Sequence, residues 1–228
     1  MKVTALLPVK GFRNAKQRLG RLLGGAEREL LAEAMFRDVL RQVVRARWLA
    51  ETYVVTGDDK VSNIAFALGA KVIREPAEKG ETGAVDFARS QLKEDGHRAV
   101  LIIPGDMPLV RAEDIEEVLA QMPDSETASF ALLVPSHDRM GTNALLLAPP
   151  DIIKLRFGFD SFSYHITQVA ARGLPIRFIE NTRIALDIDE PKDLERFLAY
   201  AEDNESFQLA HRLLSDRQSE QKRRCGGL

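Results

Sequence analysis

The sequence predicts an α/β fold built on a mixed, mainly parallel sheet with helices on both faces, and three observations point to it. Short apolar runs rich in Val, Ile and Leu alternate with longer stretches of helical period. Ala99 to Pro104 is hydrophobic without alternation, as a central strand buried on both faces must be. Two runs between 130 and 147 follow each other across a Gly-containing polar hexapeptide, which reads as a local antiparallel pair.

Taken in order, strands are expected at Thr4 to Pro8, Tyr53 to Thr56, Lys71 to Arg74, Ala99 to Pro104, Phe130 to Pro135, Asn143 to Leu147, Ile176 to Ile179 and Ile184 to Ile188. Helical periodicity covers Glu27 to Arg47, Lys60 to Leu68, Thr82 to Glu94, Ala112 to Gln121, Phe162 to Arg172 and Pro191 to Ala201. Residues 1–204 are read as one domain, and 205–228 as a docked amphipathic helix with a solvated tail ending in Gln221-Lys222-Arg223-Arg224.

Composition narrows the function classes. The chain has 228 residues, 45% of them hydrophobic, enough for a substantial core. With 32 Lys plus Arg against 34 Asp plus Glu, the net charge of -2 gives no global field for gripping nucleic acid or an anionic membrane, so any anion site is local. The single cysteine, Cys225, excludes an intramolecular disulfide and a Cys-based zinc site. The opening apolar run is too short for a signal peptide, and no stretch approaches the roughly 18 apolar residues of a membrane span. A soluble, cytoplasmic protein is expected.

Directly after the first strand, Pro8-Val9-Lys10-Gly11-Phe12-Arg13-Asn14-Ala15-Lys16-Gln17-Arg18-Leu19-Gly20-Arg21 places five cationic side chains in a dozen residues. Ligands of open α/β sheets collect at the carboxyl ends of strands. The loop's lysines and arginines are therefore candidates for phosphate contact, with Gly11 allowing close approach of the backbone. A merely solvated basic loop is the alternative. The segment matches neither a Walker loop nor GxGxxG.

Asp106 closes the central strand, where a carboxylate faces a ligand better than it serves a core. In Leu186-Asp187-Ile188-Asp189-Glu190-Pro191 an extended chain turns Asp187 and Asp189 to one side and Ile188 into the core. Neighbouring carboxylates call for a compensating cation, and Mg²⁺ held by Asp106, Asp187 and Asp189 answers that need. Alternatively, Asp189 or Glu190 caps the helix that begins at Pro191. Before the helix at 162, Ser161 reads as an N-cap, and the same helix start is also suited to an anion. His165 reads as a packed residue rather than a catalytic one.

Five motifs in order resemble the phospholactate and phosphoenolpyruvate guanylyltransferases of coenzyme F-420 biosynthesis. They are Pro8-Val9-Lys10 with Ala15-Lys16-Gln17-Arg18-Leu19; Gly105-Asp106-Met107-Pro108-Leu109; Gly141-Thr142-Asn143-Ala144-Leu145-Leu146; Phe157-Gly158-Phe159-Asp160-Ser161-Phe162; and Asp187-Ile188-Asp189-Glu190-Pro191-Lys192-Asp193-Leu194. The resemblance spans about residues 3 to 200. It implies a Rossmann-like sheet of the nucleotide-diphospho-sugar transferase kind, and a reaction in which GTP and a small phosphorylated carboxylic acid give a guanosine diphospho-acid and pyrophosphate. It further implies Mg²⁺ on Asp106, Asp187 and Asp189, the acid on Thr142, Gly158 and Ser161, and the triphosphate on Lys10, Lys16 and Arg18. Where the family usually reads Gly-Leu-Asn, this chain has Gly80-Glu81-Thr82, three further nucleotide-binding candidates, with Glu81 an acceptor for a guanine N–H pair. Molybdopterin or sugar-phosphate nucleotidyl transfer and a non-catalytic nucleotide-binding regulator are the rival readings. No nucleic-acid or membrane partner is expected, and the oligomeric state stays open, a homodimer included.

Overall fold

A computed structural model describes residues 2–77, 79–125 and 128–225, with side chains described as far as residue 217. The strands are β1 (Val3–Pro8), β2 (Leu49–Thr56), β3 (Lys71–Arg74), β4 (Ala99–Ile102), β5 (Phe130–Pro135) and β6 (Thr142–Ala148). The helices are α1 (Gly25–Arg45), α2 (Asp59–Ala67), α3 (Gly80–Glu94), α4 (Ala112–Leu119), α5 (Ser161–Ala171), α6 (Pro191–Leu198) and α7 (Glu205–Cys225). One sheet runs in the order β3-β2-β1-β4-β6-β5. β1 pairs in parallel with both β2 and β4, whereas β6 runs antiparallel to β4 and β5.

Strand alternation explains why both faces are covered. Ala99 and Leu101 of β4 join one apolar cluster with Phe36, Val39 and Val43 of α1 and Ile115 of α4. Val100 and Ile102 point the other way, into a cluster with Val85, Ala88 and Leu92 of α3 and Phe162 and Val169 of α5. The outer side of α1 is apolar as well: Leu31 and Met35 meet Ile188, Leu194 and Phe197, and Ala210 of α7. Full burial of one such Leu, Ile or Phe side chain contributes roughly 1.5–3 kcal/mol, so the first and third of these clusters hold α1 between the sheet and the C-terminal helices.

The sheet and the six helices up to residue 198 follow the sequence expectation within a few residues, while two expected strands do not form. Within Ile176 to Ile179 only Phe178 bridges to Leu133, because Pro175 has no N–H to extend a ladder and Ile176 and Phe178 remain exposed. Ile184 to Ile188 is extended only in part, since its N–H groups go elsewhere. Ala185 donates to the Asn181 carbonyl at 2.8 Å and Ile188 to the Asp106 carbonyl at 3.1 Å. That second bond fixes the segment across the end of β4 and decides where Asp187 and Asp189 lie. The side chains of Gln221, Lys222, Arg223, Arg224 and Cys225 lie outside the described residues.

Candidate active site

The strand order sets out the site. The carboxyl ends of β3, β2, β1 and β4 share one edge of the sheet, and the antiparallel β6 brings its amino end, Thr142 and Asn143, to the same edge. A cavity of about 730 Å³ lies over β3, β2, β1 and β4, and a second of about 380 Å³ lies over β4 and β6. Glu81, Pro104, Asp106 and Asp189 line both, so the cavities meet at three carboxylates.

The first loop is anchored by Phe12, which is buried against Phe36 with ring centroids 5.9 Å apart. Asn14 and Lys16 adopt left-handed backbone conformations, at φ 64° and 51°. The chain doubles back and drives the Lys16 side chain beneath the loop. There Nζ donates to Asp106 Oδ2 at 2.7 Å and Asp189 Oδ1 at 2.8 Å. Lys10 and Gly11 line the first cavity, whereas Arg18 is largely exposed and faces the second, 3.7 Å from Glu190. What crowds Gly11 is a carboxylate of the chain itself: a Cβ there would meet Asp58 Oδ2 at 2.5 Å, so a larger residue would make that side chain shift.

The Asp187 to Asp189 arm has the expected facing. Ile188 is fully buried, Asp189 meets Lys16, and Asp187 Oδ1 accepts from Asn143 Nδ2 at 3.1 Å. Glu190 holds the N-cap position of α6, as the alternative reading allowed, and Asp189 does not. Asp193 reaches back, its Oδ2 accepting the Glu190 N–H at 2.8 Å, which leaves the Asp189 carboxylate for Lys16.

Burial and repulsion by Asp106, with a further push from Asp189, raise Asp187 to about 6. Burial and Asp106 likewise raise Glu81 to about 7, although Lys10 pulls the other way. Burial alone would raise Asp189, but the Lys16 ammonium holds it below the usual range. Burial opposes the charge on Lys16, yet Asp106 and Asp189 together hold its pKa above the ordinary lysine value. The junction thus carries more carboxylate charge than one ammonium balances.

On the second cavity, Thr142, Gly158 and Ser161 share one wall. Ser161 is not the N-cap of α5. Asp160 holds that position with a left-handed backbone, and Ser161, the first helical residue, accepts the Thr142 N–H on Oγ at 3.0 Å. Gly80 and Thr82 line neither cavity. Gly80 starts α3 with φ 80°, and Thr82 Oγ1 accepts the Phe157 N–H at 3.0 Å, docking α3 on the loop before α5. Of that trio only Glu81 reaches the cavity walls.

Sequence reasoning passed over Asp58, Glu75 and Asn143. Asp58 and Glu75 line the first cavity just beyond β2 and β3, the strand ends where ligands of such sheets collect. Asn143 follows Thr142 on β6 and orients Asp187, a role signalled only by an amide beside a cluster of acids. No helix is long and apolar enough to cross a membrane among the described residues.

Comparison with known proteins finds relatives over most of the chain. A phosphoenolpyruvate guanylyltransferase of Conexibacter woesei is 35% identical over 195 residues, covering 86% of each chain. A 2-phospho-L-lactate guanylyltransferase of Methanothermobacter thermautotrophicus is 32% identical, covering 93% of this chain and 92% of its own. A 3-phospho-D-glycerate guanylyltransferase of Phenylobacterium zucineum is 34% identical, covering 83% and 86%. Among solved structures, one from Desulfovibrio desulfuricans G20 assigned to the nucleotide-diphospho-sugar transferases superposes with a TM-score of 0.76 at 18% identity, over 95% of this chain and 98% of that one. A cytidylyltransferase of Leptospira borgpetersenii superposes at 0.60 with 13% identity, over 97% and 96%. These structures bear out the fold expected from the motifs. The family model described as guanylyl transferase CofC like matches residues 3–224, and the chain belongs to that family.

Proposed function

We propose that the protein transfers the guanylyl group of GTP to a small phosphorylated carboxylic acid, of the size of phosphoenolpyruvate, 2-phospho-L-lactate or 3-phosphoglycerate, and releases pyrophosphate. The product is the activated donor for a deazaflavin acceptor in coenzyme F-420 biosynthesis. The observation that carries the reading is the junction at Glu81, Asp106 and Asp189, where a cavity walled by the cationic loop meets a smaller one whose lining includes Thr142, Gly158 and Ser161.

The acceptor phosphate is already anionic, so no general base is required. One of its oxygens forms a bond to the α-phosphorus of GTP while the bond from that phosphorus to the bridging oxygen of pyrophosphate breaks. The chain contributes alignment and charge. Lys10 flanks the polyphosphate from the loop. Arg18, on the opposite rim, meets the acceptor. Thr142, Ser161 and the backbone at Gly158 take the acid, which the free N–H groups of the α5 start also favour. The base lies toward Asp58 and Glu75, since an ionised carboxylate accepts the paired N–H groups on one edge of guanine.

Asp106, Asp187 and Asp189 would offer an all-oxygen donor set, in which burial first and then the charge of Asp106 raise Asp187 to about 6. That fits a hard divalent cation such as Mg²⁺. No group of three or more His, Cys, Asp or Glu side chains forms a ready-made cage among the described residues. Mg²⁺ sites completed by water and substrate phosphate have that character. When bound, the ion supplies neutralisation of phosphate charge.

Pyrophosphate release measured with each of the four nucleoside triphosphates against the three acids tests the reading. GTP with at least one of the acids is expected to release pyrophosphate stoichiometrically with product. Preference for another triphosphate would reassign the base, and no release from any pair would reject the reaction.

A further inference from the structure

His165 lies on α5 with no exposed surface, and both of its ring nitrogens are engaged. The Arg156 N–H donates to Nε2 at 3.2 Å, so Nε2 is an acceptor and the ring proton of the neutral imidazole sits on Nδ1. Nδ1 is 2.9 Å from Thr142 Oγ1, and its N–H donates to that oxygen. The Thr142 N–H in turn donates to Ser161 Oγ. Each hydroxyl oxygen has thereby accepted a protein donor, while its own hydrogen meets no further partner among the described residues. Both side chains are more than nine-tenths buried as residues, yet both line the second cavity.

We infer that His165 is a positioning residue for the acceptor: by donating to Thr142 it fixes the polarity of a relay that leaves the Thr142 and Ser161 hydroxyls as two outward donors for one anionic group of the acid. The inference rests on the proposed reaction for the identity of that acid. Its direction follows from the imidazole tautomer alone.

Burial, with Arg156 and Arg89 nearby, pushes His165 down to about 4, which keeps the ring neutral at pH 7. An imidazolium would turn an N–H toward the Arg156 N–H and break the relay. The same ring ties together the start of β6, the loop at 156 and α5. The edges and faces of Phe157 and Tyr164 enclose it, with centroids at 5.6 and 5.8 Å. Two neutral hydroxyl donors suit this wall. They donate to an anion without adding charge of their own to this wall.

The test combines kinetics with a direct reading of the ring. Long-range ¹H–¹⁵N NMR of the full-length protein is expected to show His165 protonated on Nδ1 alone; a proton on Nε2 would overturn the proposal whatever the enzyme's activity. In kinetics, His165→Phe and Thr142→Val are each expected to raise KM for the acid about tenfold, the effect of one hydrogen bond to a charged group, with KM for GTP unchanged. The double variant should be no worse than either single one, because the two act as a unit. His165→Asn keeps a donor near the Nδ1 position, so it should hold KM for the acid within about threefold of wild type even if His165→Phe fails to fold. Equal rises in both KM values, or additive effects in the double variant, would reduce His165 to a structural residue and reject the inference. If the wild type turns over no acid, the proposed reaction fails, and the tautomer measurement still decides the relay.

Discussion

The Lys16 ammonium stands 2.7 Å from the Asp106 carboxylate and also meets Asp189, so a residue of the first loop closes the end of β4 against the arm before α6. Removing that ammonium leaves two carboxylates facing a third. Breaking a buried ion pair costs about 3–5 kcal/mol. Here Asp106 is 31% and Asp189 45% exposed, and solvent screening reduces the expected cost of Lys16→Met to about 1–2 kcal/mol. The vacated carboxylates should then bind a divalent cation more tightly. Thermal melts in EDTA and in Mg²⁺ check this: the Mg²⁺-induced rise in Tm is expected to be larger for Lys16→Met than for wild type. An unchanged rise would mean that the ammonium and the cation do not share these ligands.

Asp187, raised to about 6, and Glu81, raised to about 7, predict how metal-free stability responds to pH. Unfolded carboxyls titrate near about 4, so between there and about pH 7 the folded state holds more protons than the unfolded one. The contribution of these two groups is fully present below about pH 4 and is lost as pH rises through about 6 and then about 7. Urea titrations in EDTA across that range are expected to show a fall that Asp187→Asn and Glu81→Gln each flatten. Identical slopes in wild type and both variants would place the titration elsewhere.

A buried network aims the same arm from behind. Asp114, 1% exposed, accepts from Arg183 Nε at 2.7 Å and Nη2 at 2.5 Å, and from Asn181 Nδ2 at 2.8 Å. Asn181 Oδ1 in turn accepts the N–H groups of Arg183 and Ile184, a short step before Asp187. With Arg183 about a third exposed, Asp114→Asn should cost about 2–3 kcal/mol. The urea midpoint should fall at constant m-value, and turnover should fall with it because the arm that carries Asp187 is loosened.

Arg18 lines the second cavity and is absent from the lining of the first. If the second cavity takes the acid as proposed, Arg18→Gln is expected to raise KM for the acid several-fold and leave KM for GTP unchanged. Steady-state kinetics with each substrate varied in turn reads the split. A selective rise in KM for GTP would move Arg18 to the triphosphate.

The sheet was legible because its signals are local: β4 is apolar on both faces, and the spacing of Asp187, Ile188 and Asp189 survives the loss of the strand expected there. Asp106 was legible because the end of a central strand is a privileged place. The inward turn of Lys16 was not, since it depends on two left-handed residues and on carboxylates far along the chain. Ser161 and His165 illustrate the same limit. A serine before a helical run reads as a cap and a histidine on an apolar face reads as packing, and only the fold brings Thr142 between them. Asp58 and Glu75 stood at strand ends where the rule that found Asp106 applies equally, and neither belongs to a motif that draws the eye.

The central claim is that chemistry takes place at the junction of the two cavities, with Asp106 as its indispensable carboxylate. Turnover of Asp106→Asn with GTP, Mg²⁺ and the preferred acid, measured beside its Tm, tests it most directly. The account predicts at least about a hundredfold loss of kcat, the scale of removing one organising group for transition-state charge, with Tm close to that of wild type. Wild-type turnover in a folded Asp106→Asn protein would contradict it.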